Sequence, residues 1–295
     1  MRIAFLGLGA IGRPIAGHLA RTLQLRVWNR TGARASTFAG ETGAAAVATP
    51  LLAARDAEVV FTCLPNSPEV EEVLAGPDGL EGGLGPGAVL VDLTSGVPAT
   101  SRRIAERLSN RGIDWLDAPV SGGTAGAEAA TLTIMVGGEA AVFARVLPVL
   151  ELFGKRIVHV GPAGAGHALK AVHNMLIAVN VFALGEGLTT LARAGVAPRT
   201  ALDVINNANG RSFVSERLVP ERVLSGAWPR TFRLALLDKD VGIARDLARA
   251  EGIEAPLMDR VSDLLHEAHL ALGEEADHVE AIRLHEERAG VELRG

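Results

Sequence analysis

A short apolar strand that runs straight into closely spaced glycines is the feature that most constrains the fold of this chain. Residues Arg2–Leu6 form the strand candidate, and they are followed by Gly7-Leu8-Gly9-Ala10-Ile11-Gly12. A helical pattern comes next, and a second strand candidate follows at Leu25–Trp28. Gly7 permits a tight turn, Gly9 lets the backbone approach a pyrophosphate, and Gly12 lets the helix pack closely on the sheet. This order predicts a βαβ unit that binds a dinucleotide, with the phosphates at the helix N-terminus.

Further strand candidates alternate with helical stretches through the first half of the chain, at Glu58–Cys63, Ala88–Val91, Ile113–Asp117 and Arg156–Val160. This alternation is typical of a parallel, doubly wound sheet of the Rossmann type. In such sheets ligands bind beyond the carboxyl ends of the strands. We therefore expect the cofactor to contact the segments that follow the strands, which include Leu64, Pro65, Asn66, Thr94 and Ser95.

The second half of the chain has a different pattern. The run from Gly161 to Gly166 interrupts the alternation, and beyond it the spacing of apolar residues is helical. We predict a dinucleotide-binding domain over residues 1–162 and an all-helical domain for substrate binding and oligomerisation over residues 163–295. A long helix from His167 to about Arg193 would join them. The predicted fold class is α/β, a Rossmann-type N-terminal domain followed by an all-α C-terminal domain.

The residues after the second strand candidate bear on which dinucleotide fits. An NAD site usually has Asp or Glu at this point, to accept hydrogen bonds from the ribose hydroxyl. This chain has Asn29, Arg30 and Thr31 instead. No carboxylate repels a 2′-phosphate there, and Arg30 and Thr31 offer donors to bind one, which favours NADP. The alternative is that Arg30 only stacks on the adenine, which would also permit NAD.

The composition excludes several classes of protein. With 48% hydrophobic residues and a formal net charge of −5, the 295-residue chain is globular and lacks the basic character of a nucleic-acid-binding protein. The single cysteine, Cys63, excludes a disulfide framework and a cysteine-based zinc site. The N-terminus lacks a signal-peptide pattern, and the apolar stretch Met175–Leu184 is short and interrupted by Asn180. We therefore expect no membrane span and a cytoplasmic location.

Lysine is rare in this chain, and one lysine lies within an apolar helical pattern. The lysines are Lys155, Lys170 and Lys239, and tyrosine is absent, which excludes a dehydrogenase that pairs tyrosine with lysine. A lysine amine can act as an acid or a base in catalysis, whereas an arginine stays charged, because the pKa of the amine depends on its environment. Lys170 and Asn174 are four residues apart and share one face of the predicted helix. The alternative is that Lys170 lies on a solvated stripe.

Four short segments that carry recognisable motifs are spread over nearly the whole chain. They are the glycine loop at 7–12, Asp117-Ala118-Pro119-Val120-Ser121-Gly122-Gly123, the pattern Gly161-x-x-Gly164-x-Gly166-x-x-x-Lys170-x-x-x-Asn174, and Phe232 followed by Lys239-Asp240. In order and spacing these segments resemble the β-hydroxyacid dehydrogenase family, which includes 3-hydroxyisobutyrate dehydrogenases, tartronate semialdehyde reductases and glyoxylate/succinic semialdehyde reductases. The likeness leans towards the bacterial 3-hydroxyisobutyrate dehydrogenases.

The resemblance implies hydride transfer between NADP(H) and a small β-hydroxy acid or semialdehyde, with 3-hydroxyisobutyrate and methylmalonate semialdehyde as the expected pair. Lys170 would be the catalytic acid/base, assisted by Asn174. A lysine ammonium can protonate a developing alkoxide, and the amine can take the proton in the reverse direction. The hydroxyl and backbone N–H donors that bind the substrate carboxylate would come from Ser121, Gly122 and Gly123.

The remaining matching residues would complete the site. Ser95 would lie near the reacting group and the nicotinamide, and Lys239 would close over the cofactor. Phe232 and Asp240 would line or orient the site from the helical domain. The family usually has asparagine where this chain has His173, which we expect to be a satisfied polar neighbour rather than a group that tunes the catalytic lysine.

Alternative functions stay open at this point. The Ser-Gly-Gly loop is shared with tartronate semialdehyde enzymes, so a tartronate semialdehyde or glyoxylate/succinic semialdehyde reductase fits the same residues. An imine reductase usually lacks the lysine, and a non-catalytic NADP-binding interaction module would be expected to lose the lysine or the Ser-Gly-Gly loop.

Further expectations concern partners and metals. The partner would be a small carboxylate-bearing substrate, and the apolar helical domain indicates a homodimer or homotetramer. The other histidines show no spacing typical of a metal site, namely His18, His159, His266, His269 and His285. We expect His266 and His269 to face solvent rather than to bind zinc.

Overall fold

The computed structural model describes residues 1–294, and the chain divides into two compact units, Met1–Lys170 and Ala171–Gly295. The division lies within a continuous helix, further along the chain than the boundary predicted after residue 162. The first turns of this helix belong to the N-terminal unit because the N–H groups of Gly164 and His167 donate to a carboxylate of its sheet.

The N-terminal unit is built around one sheet of nine strands. In chain order they are β1 (Arg2–Leu6), β2 (Gln24–Trp28), β3 (Ala45–Ala46), β4 (Val59–Thr62), β5 (Val89–Asp92), β6 (Asp114–Asp117), β7 (Val120–Ser121), β8 (Leu132–Gly138) and β9 (Gly154–Gly161). Their order across the sheet is β3-β2-β1-β4-β5-β6-β8-β7, and β9 pairs with β8. The parallel pairing from β3 through β6 confirms the predicted Rossmann-type fold.

Helices cover both faces of this sheet. They are α1 (Gly12–Ala20), α2 (Gly32–Thr42), α3 (Pro50–Ala54), α4 (Ser67–Leu74), α5 (Leu80–Gly83), α6 (Pro98–Ser109), α7 (Gly123–Glu128) and α8 (Ala140–Leu150). Because successive side chains of a strand point to opposite faces, Ile3 and Phe5 of β1 lie in one apolar core and Ala4 and Leu6 lie in the other. Strands buried on both faces explain the continuous apolar runs in the sequence.

Strands β7 and β8 depart from the predicted all-parallel sheet. Val120 pairs with Ile134 and Ser121 with Thr133, both antiparallel, and β8 also runs antiparallel to β6. The only helix between β7 and β8 is the short α7, so the chain turns back on itself here instead of making a full crossover. Strand β8 was not among the strands predicted from the sequence.

The C-terminal unit is helical, as predicted. Helix α9 (Ala165–Arg193) begins in the N-terminal unit and continues into this one, and it is followed by α10 (Pro198–Asn206), α11 (Leu234–Ala250), α12 (Pro256–Leu272) and α13 (Ile282–Ala289). A wider π-helical segment covers Val214–Leu224, and a 3₁₀ turn covers His278–Ala281. The core of the C-terminal unit includes the buried side chains of Met175, Val181, Leu218, Val241 and Leu265.

Helix α9 is longer than the apolar stretch at Met175–Leu184 considered from the sequence. By length and composition alone it could cross a membrane, with a mean hydropathy of 1.6 over its most apolar window. A core helix of a globular protein meets the same test, and one such helix is weak evidence for a span. The side chains of Ala171, Ala178 and Phe182 are buried in the C-terminal core.

Candidate functional site

The glycine loop joins β1 to α1 in a conformation that only glycine allows at two positions. Gly7 has φ +100°, and a Cβ there would overlap the carbonyl oxygen of Cys63. A Cβ on Gly12 would overlap the carbonyl oxygen of Gly7. A Cβ on Gly9, in contrast, would meet nothing within 4 Å. Gly7 and Gly12 thus permit the close packing of the loop, while Gly9 faces open space that a ligand can enter.

Asn29 ties the glycine loop to the end of β2. Its Oδ1 accepts the N–H of Leu8 at 2.9 Å, and its Nδ2 donates to the carbonyl of Thr31 at 3.1 Å. The N–H of Gly7 also donates to the carbonyl of Trp28 at 3.0 Å. The side chain predicted to contact the cofactor therefore holds the shape of the loop that would receive it.

Two helix N-termini beside this loop lack a side-chain cap. Neither α1 nor α2 has a cap hydrogen bond from the side chain at its start, although Thr31 stands at the N-cap of α2. Uncapped N–H groups at a helix start form an anion-binding site. A cleft at this place is lined by Leu8, Gly9, Ala10, Arg13 and Arg34. The residues present therefore fit the phosphates of a dinucleotide.

Arg13 and Arg34 are two members of this lining that sequence reasoning missed. Arg13 pairs with Glu41, and Arg34 lies in the first turn of α2. The signal that could have found Arg34 is its position three residues after Thr31, on the turn that follows the end of β2. Arg30, the residue predicted to read a 2′-phosphate, is exposed just before this turn.

The loops after β4 and β5 are tied to each other by side chains that were predicted to contact the cofactor. Thr94 Oγ1 accepts the N–H of Leu64 at 3.1 Å. Asn66 caps α4, where its Oδ1 accepts the N–H of Glu69 at 3.3 Å. Pro65 lies between them, and the half-buried Ser95 follows Thr94. The polar residues after these strands thus hold the loops at the carboxyl edge of the sheet in a fixed conformation.

A buried acid–histidine pair lies behind the Thr94-Ser95-Gly96 loop. His167 Nε2 is 3.6 Å from Asp92 Oδ2, and both side chains are 2% exposed. Burial raises the pKa of Asp92, and the charge of His167 with hydrogen bonds from Thr94 and Thr62 opposes that rise. Gly96 permits this arrangement, because a Cβ there would lie 2.8 Å from His167 Cε1. Sequence reasoning missed the pair, which joins β5 to α9.

The start of α9 is fixed to the sheet by Asp117. Its Oδ1 accepts the N–H of Gly164 at 2.7 Å, and its Oδ2 accepts the N–H of His167 at 2.8 Å. Gly166 lets the helix approach, since a Cβ there would overlap the carbonyl oxygen of Met135. Lys170 stands about one turn further along and is 8% exposed, which excludes the alternative of a solvated lysine.

The Ser-Gly-Gly segment ends β7 and opens α7. Ser121 is half-buried and pairs with Thr133 of β8. Gly122 has φ +135° and Gly123 has φ +63°, and both are exposed. These conformations strongly favour glycine, and they leave the backbone accessible at the segment predicted to bind a carboxylate.

The C-terminal unit gathers three of the predicted residues into one network. Asn174 Nδ2 donates to Asp240 Oδ2 at 2.5 Å, and both side chains are buried. Lys239 Nζ lies 2.9 Å from Asp240 Oδ1. The half-buried His173 lies beside Asn174 on α9. Oδ2 of the aspartate therefore links α11 to α9, while its Oδ1 pairs with the neighbouring lysine of α11.

Phe232 lies outside this network, two residues before α11. Its ring packs against the ring of His278, with 5.5 Å between the ring centroids. Its N–H donates to Asp277 Oδ2 at 3.0 Å, and its carbonyl accepts the N–H of His278 at 2.9 Å. The loop that carries the aromatic ring is therefore held by the 3₁₀ turn.

Comparison with known protein families covers nearly the whole chain. Residues 2–161 match the NAD-binding domain of 6-phosphogluconate dehydrogenase. Residues 164–285 match the family described as the NAD-binding domain of NADP-dependent 3-hydroxyisobutyrate dehydrogenase.

Individual relatives match over their full length. The 2-(hydroxymethyl)glutarate dehydrogenase of Eubacterium barkeri is 35% identical, over 100% of this chain and 98% of its own. The 2-hydroxy-3-oxopropionate reductase of Escherichia coli is 35% identical, over 96% of this chain and 98% of its own. The structure of 3-hydroxyisobutyrate dehydrogenase from Mycobacterium tuberculosis with L-serine has a TM-score of 0.89 at 32% identity, covering 96% of this chain and 98% of that one. This chain therefore belongs to the β-hydroxyacid dehydrogenase family of NAD(P)-dependent oxidoreductases.

Proposed function

We propose that this chain catalyses the oxidation of 3-hydroxyisobutyrate to methylmalonate semialdehyde with NADP⁺, with Lys170 as the acid/base. The observation that carries the proposal is the placement of Lys170, a largely buried lysine about one turn beyond the start of α9 that Asp117 anchors to the sheet. A lysine amine on a side chain this deeply buried is uncommon in folded proteins. Anchoring of the preceding turn gives that amine a defined position, which proton transfer requires.

The residues of the chain divide the chemistry between them. Lys170 takes the proton of the substrate's hydroxyl group. A C–H bond breaks at the carbon that bears this hydroxyl, and the C–O bond becomes a carbonyl. When bound, NADP⁺ supplies the hydride acceptor for that carbon. In the reverse direction Lys170 returns the proton to the developing alkoxide. The N–H groups of Gly122 and Gly123 and the hydroxyl of Ser121 orient the substrate by its carboxylate.

The substrate class follows from what the relatives' substrates share. The compounds named for the three relatives have, in their alcohol form, a hydroxymethyl group on the carbon next to a carboxylate. They differ in the third substituent on that carbon, which is methyl in 3-hydroxyisobutyrate. The common part matches a site with one carboxylate binder and one acid/base. We favour the methyl substituent because of the whole-chain likeness to a 3-hydroxyisobutyrate dehydrogenase, and reduction of tartronate semialdehyde or of glyoxylate and succinic semialdehyde is the alternative.

The preference for NADP is supported by the residues around the start of α2. Thr31 caps this helix without a side-chain hydrogen bond, so its hydroxyl is available to a 2′-phosphate. Arg30 is exposed before it, and Arg34 lines the cleft beside the glycine loop. No carboxylate stands at the end of β2 to accept a ribose hydroxyl, as NAD sites usually have.

Steady-state oxidation of 3-hydroxyisobutyrate, D-glycerate and L-serine, each with NADP⁺ and with NAD⁺, tests the substrate. The highest kcat/KM is expected for 3-hydroxyisobutyrate with NADP⁺. A highest value for D-glycerate would retain the mechanism and assign the chain to tartronate semialdehyde reduction. No turnover of any substrate, in oxidation or in reduction of the aldehydes, would favour the non-catalytic binding module.

Lys170→Ala tests the mechanism, with Lys155→Ala as the matched control because Lys155 is exposed on β9. Loss of the acid/base should lower kcat by about 10²–10⁴-fold. The dissociation constant for NADP⁺, measured by fluorescence titration, should stay unchanged because the glycine loop is intact. Normal turnover in Lys170→Ala would reject Lys170 as the acid/base.

A further inference from the structure

Two histidines and an aspartate converge on the surface of the C-terminal unit. Asp238 lies on α11, and His266 and His269 lie one turn apart on α12. Asp238 Oδ2 is 3.0 Å from Nδ1 of His266 and 2.8 Å from Nδ1 of His269. One nitrogen or oxygen atom from each residue lies within 4.8 Å of the other two. None of these residues belongs to the site described above.

The spacing of these atoms fits the coordination sphere of a transition metal. Imidazole nitrogen and carboxylate oxygen bind Zn²⁺ at about 2.0–2.2 Å, and two ligands of a tetrahedral ion at that radius lie roughly 3.3 Å apart. His266 and His269 share a helix face because residues three apart are neighbours on a helix. A small inward or outward adjustment of the side chains would therefore seat an ion between the three atoms.

Glu274 adds a carboxylate that could orient His269 as a metal ligand. Its Oε1 lies 3.1 Å from His269 Nε2, on the side of the ring that faces away from Asp238. Histidine ligands typically donate their second N–H to a carboxylate, which turns the lone pair of the other nitrogen towards the metal. With Nε2–H directed at Glu274, a neutral ring presents the lone pair of Nδ1 to an oxygen of Asp238. A ring protonated on both nitrogens donates to both carboxylates, and a divalent cation bound to Nδ1 and to Asp238 would take the place of the Nδ1 proton.

We propose that Asp238, His266 and His269 form a binding site for a divalent transition-metal cation such as Zn²⁺ or Ni²⁺, with Glu274 orienting His269. Two imidazoles and one carboxylate suit these ions, whereas Mg²⁺ and Ca²⁺ prefer sites made of oxygen. The bound ion would clamp α11 to α12. Water would complete its coordination on the open side, because the side chain of His266 is 61% exposed.

The sequence-based expectation that both histidines face solvent holds only for His266. The side chains of His269 and Asp238 are 17% and 14% exposed, because each is covered by the neighbouring helix or turn. The sequence could not show the site, because its carboxylate lies 28 residues before the first histidine. Antiparallel packing of α11 and α12 brings the three residues together.

Isothermal titration of the full chain with Zn²⁺, and with Mg²⁺ as the comparison ion, tests the proposal. We expect one equivalent of Zn²⁺ to bind and Mg²⁺ not to compete. His266→Ala and Asp238→Asn should each weaken binding of Zn²⁺ by at least about 100-fold, and Glu274→Gln should weaken it by about 10-fold. His159→Gln, which removes a histidine of the other unit, should bind as the unaltered chain does.

The melting temperature gives a second readout. An ion that binds only the folded chain should raise it by roughly 5 °C at about 100 times its dissociation constant. His266→Ala should abolish this rise, and because His266 is exposed this variant should keep its circular dichroism spectrum. The absence of saturable Zn²⁺ binding, or equal binding by the unaltered chain, His266→Ala and Asp238→Asn, would overturn the proposal.

Discussion

The carboxylate of Asp117 accepts the backbone N–H of His167 at 2.8 Å, so that the last residue of a sheet strand holds the first turn of the helix that carries Lys170. The two residues are 50 positions apart in the chain. The proposed acid/base thus takes its position from the Rossmann sheet and not only from its own helix. The glycines of the Gly161–Gly166 segment permit this close approach.

Asp117→Asn should therefore lower both stability and turnover. The new amide nitrogen replaces one acceptor oxygen and faces a backbone donor, which should cost about 1–3 kcal/mol of unfolding free energy. We expect a lower kcat as well, because the turn before Lys170 loses its anchor. Urea unfolding and steady-state kinetics measure the two effects. The control is Asp114→Asn on the same strand, where a half-buried carboxylate pairs with the exposed Arg145 and the cost should stay below about 1 kcal/mol. Equal losses in the two variants would contradict the role of Asp117.

Arg30→Ala should weaken the binding of NADP⁺ much more than that of NAD⁺. A guanidinium paired with the 2′-phosphate contributes a charge-assisted hydrogen bond that NAD⁺ cannot use, so the preference should fall by roughly tenfold or more. Fluorescence titration with both cofactors measures the ratio of dissociation constants. Arg21→Ala, an exposed arginine at the far end of α1, should leave that ratio unchanged. An equal loss for the two cofactors would show that Arg30 stacks on the adenine.

Cys63 should resist alkylation in the folded protein. Burial, with the nearby charge of Asp92, raises the pKa of the Cys63 thiol to about 12, so the reactive thiolate is nearly absent at neutral pH. In urea at pH 8, iodoacetamide should label Cys63 completely. Over the same time at pH 8, we expect no labelling of the folded protein. Mass spectrometry of both samples gives the comparison. Rapid labelling of the folded chain would show that the thiol opens to solvent.

Asp277 should make the C-terminal unit sensitive to acid. Burial alone raises the pKa of its carboxyl, but the hydrogen bond and charge of His278 and the N–H donors of Phe232 and Thr231 outweigh burial and bring the pKa well below its usual range. The carboxylate therefore stabilises the fold fully above its unfolded pKa of about 4, and this stabilisation is lost as the pH falls below that value.

The difference in urea midpoint between the unaltered chain and Asp277→Asn measures this effect. It should be constant from about pH 7 to pH 5 and shrink towards about pH 3 as the same carboxyl group of the unfolded chain takes up a proton. Asp246→Asn is the control, since that carboxylate is exposed and pairs only with surface arginines, and its difference should be small at every pH. A difference for Asp277→Asn that does not change with pH would assign the stabilisation to shape and not to charge.

Much of the N-terminal fold was predictable because its signals are local. The strand at Arg2–Leu6 and the glycine loop after it appear in the structure at the predicted positions, since a tight turn and a close helix approach each require glycine at one point in the chain. The cofactor contacts predicted at Asn29 and Asn66 were read from the same local pattern. In the structure these side chains hold the loops in place, and their contact with the cofactor stays a prediction.

By itself the sequence determined the fold class, the family and the positions of the candidate acid/base and glycine loop, because each depends on residues a few positions apart. Only the tertiary structure decided which polar groups meet. Asp92 with His167, Asn174 with Asp240, and Asp238 with His266 each join elements that are distant in the chain. Apolar residues that repeat every 2.0 residues in a strand or every 3.6 in a helix show which face of the element is buried. A hydrogen bond between two elements depends instead on the register and angle at which they pack.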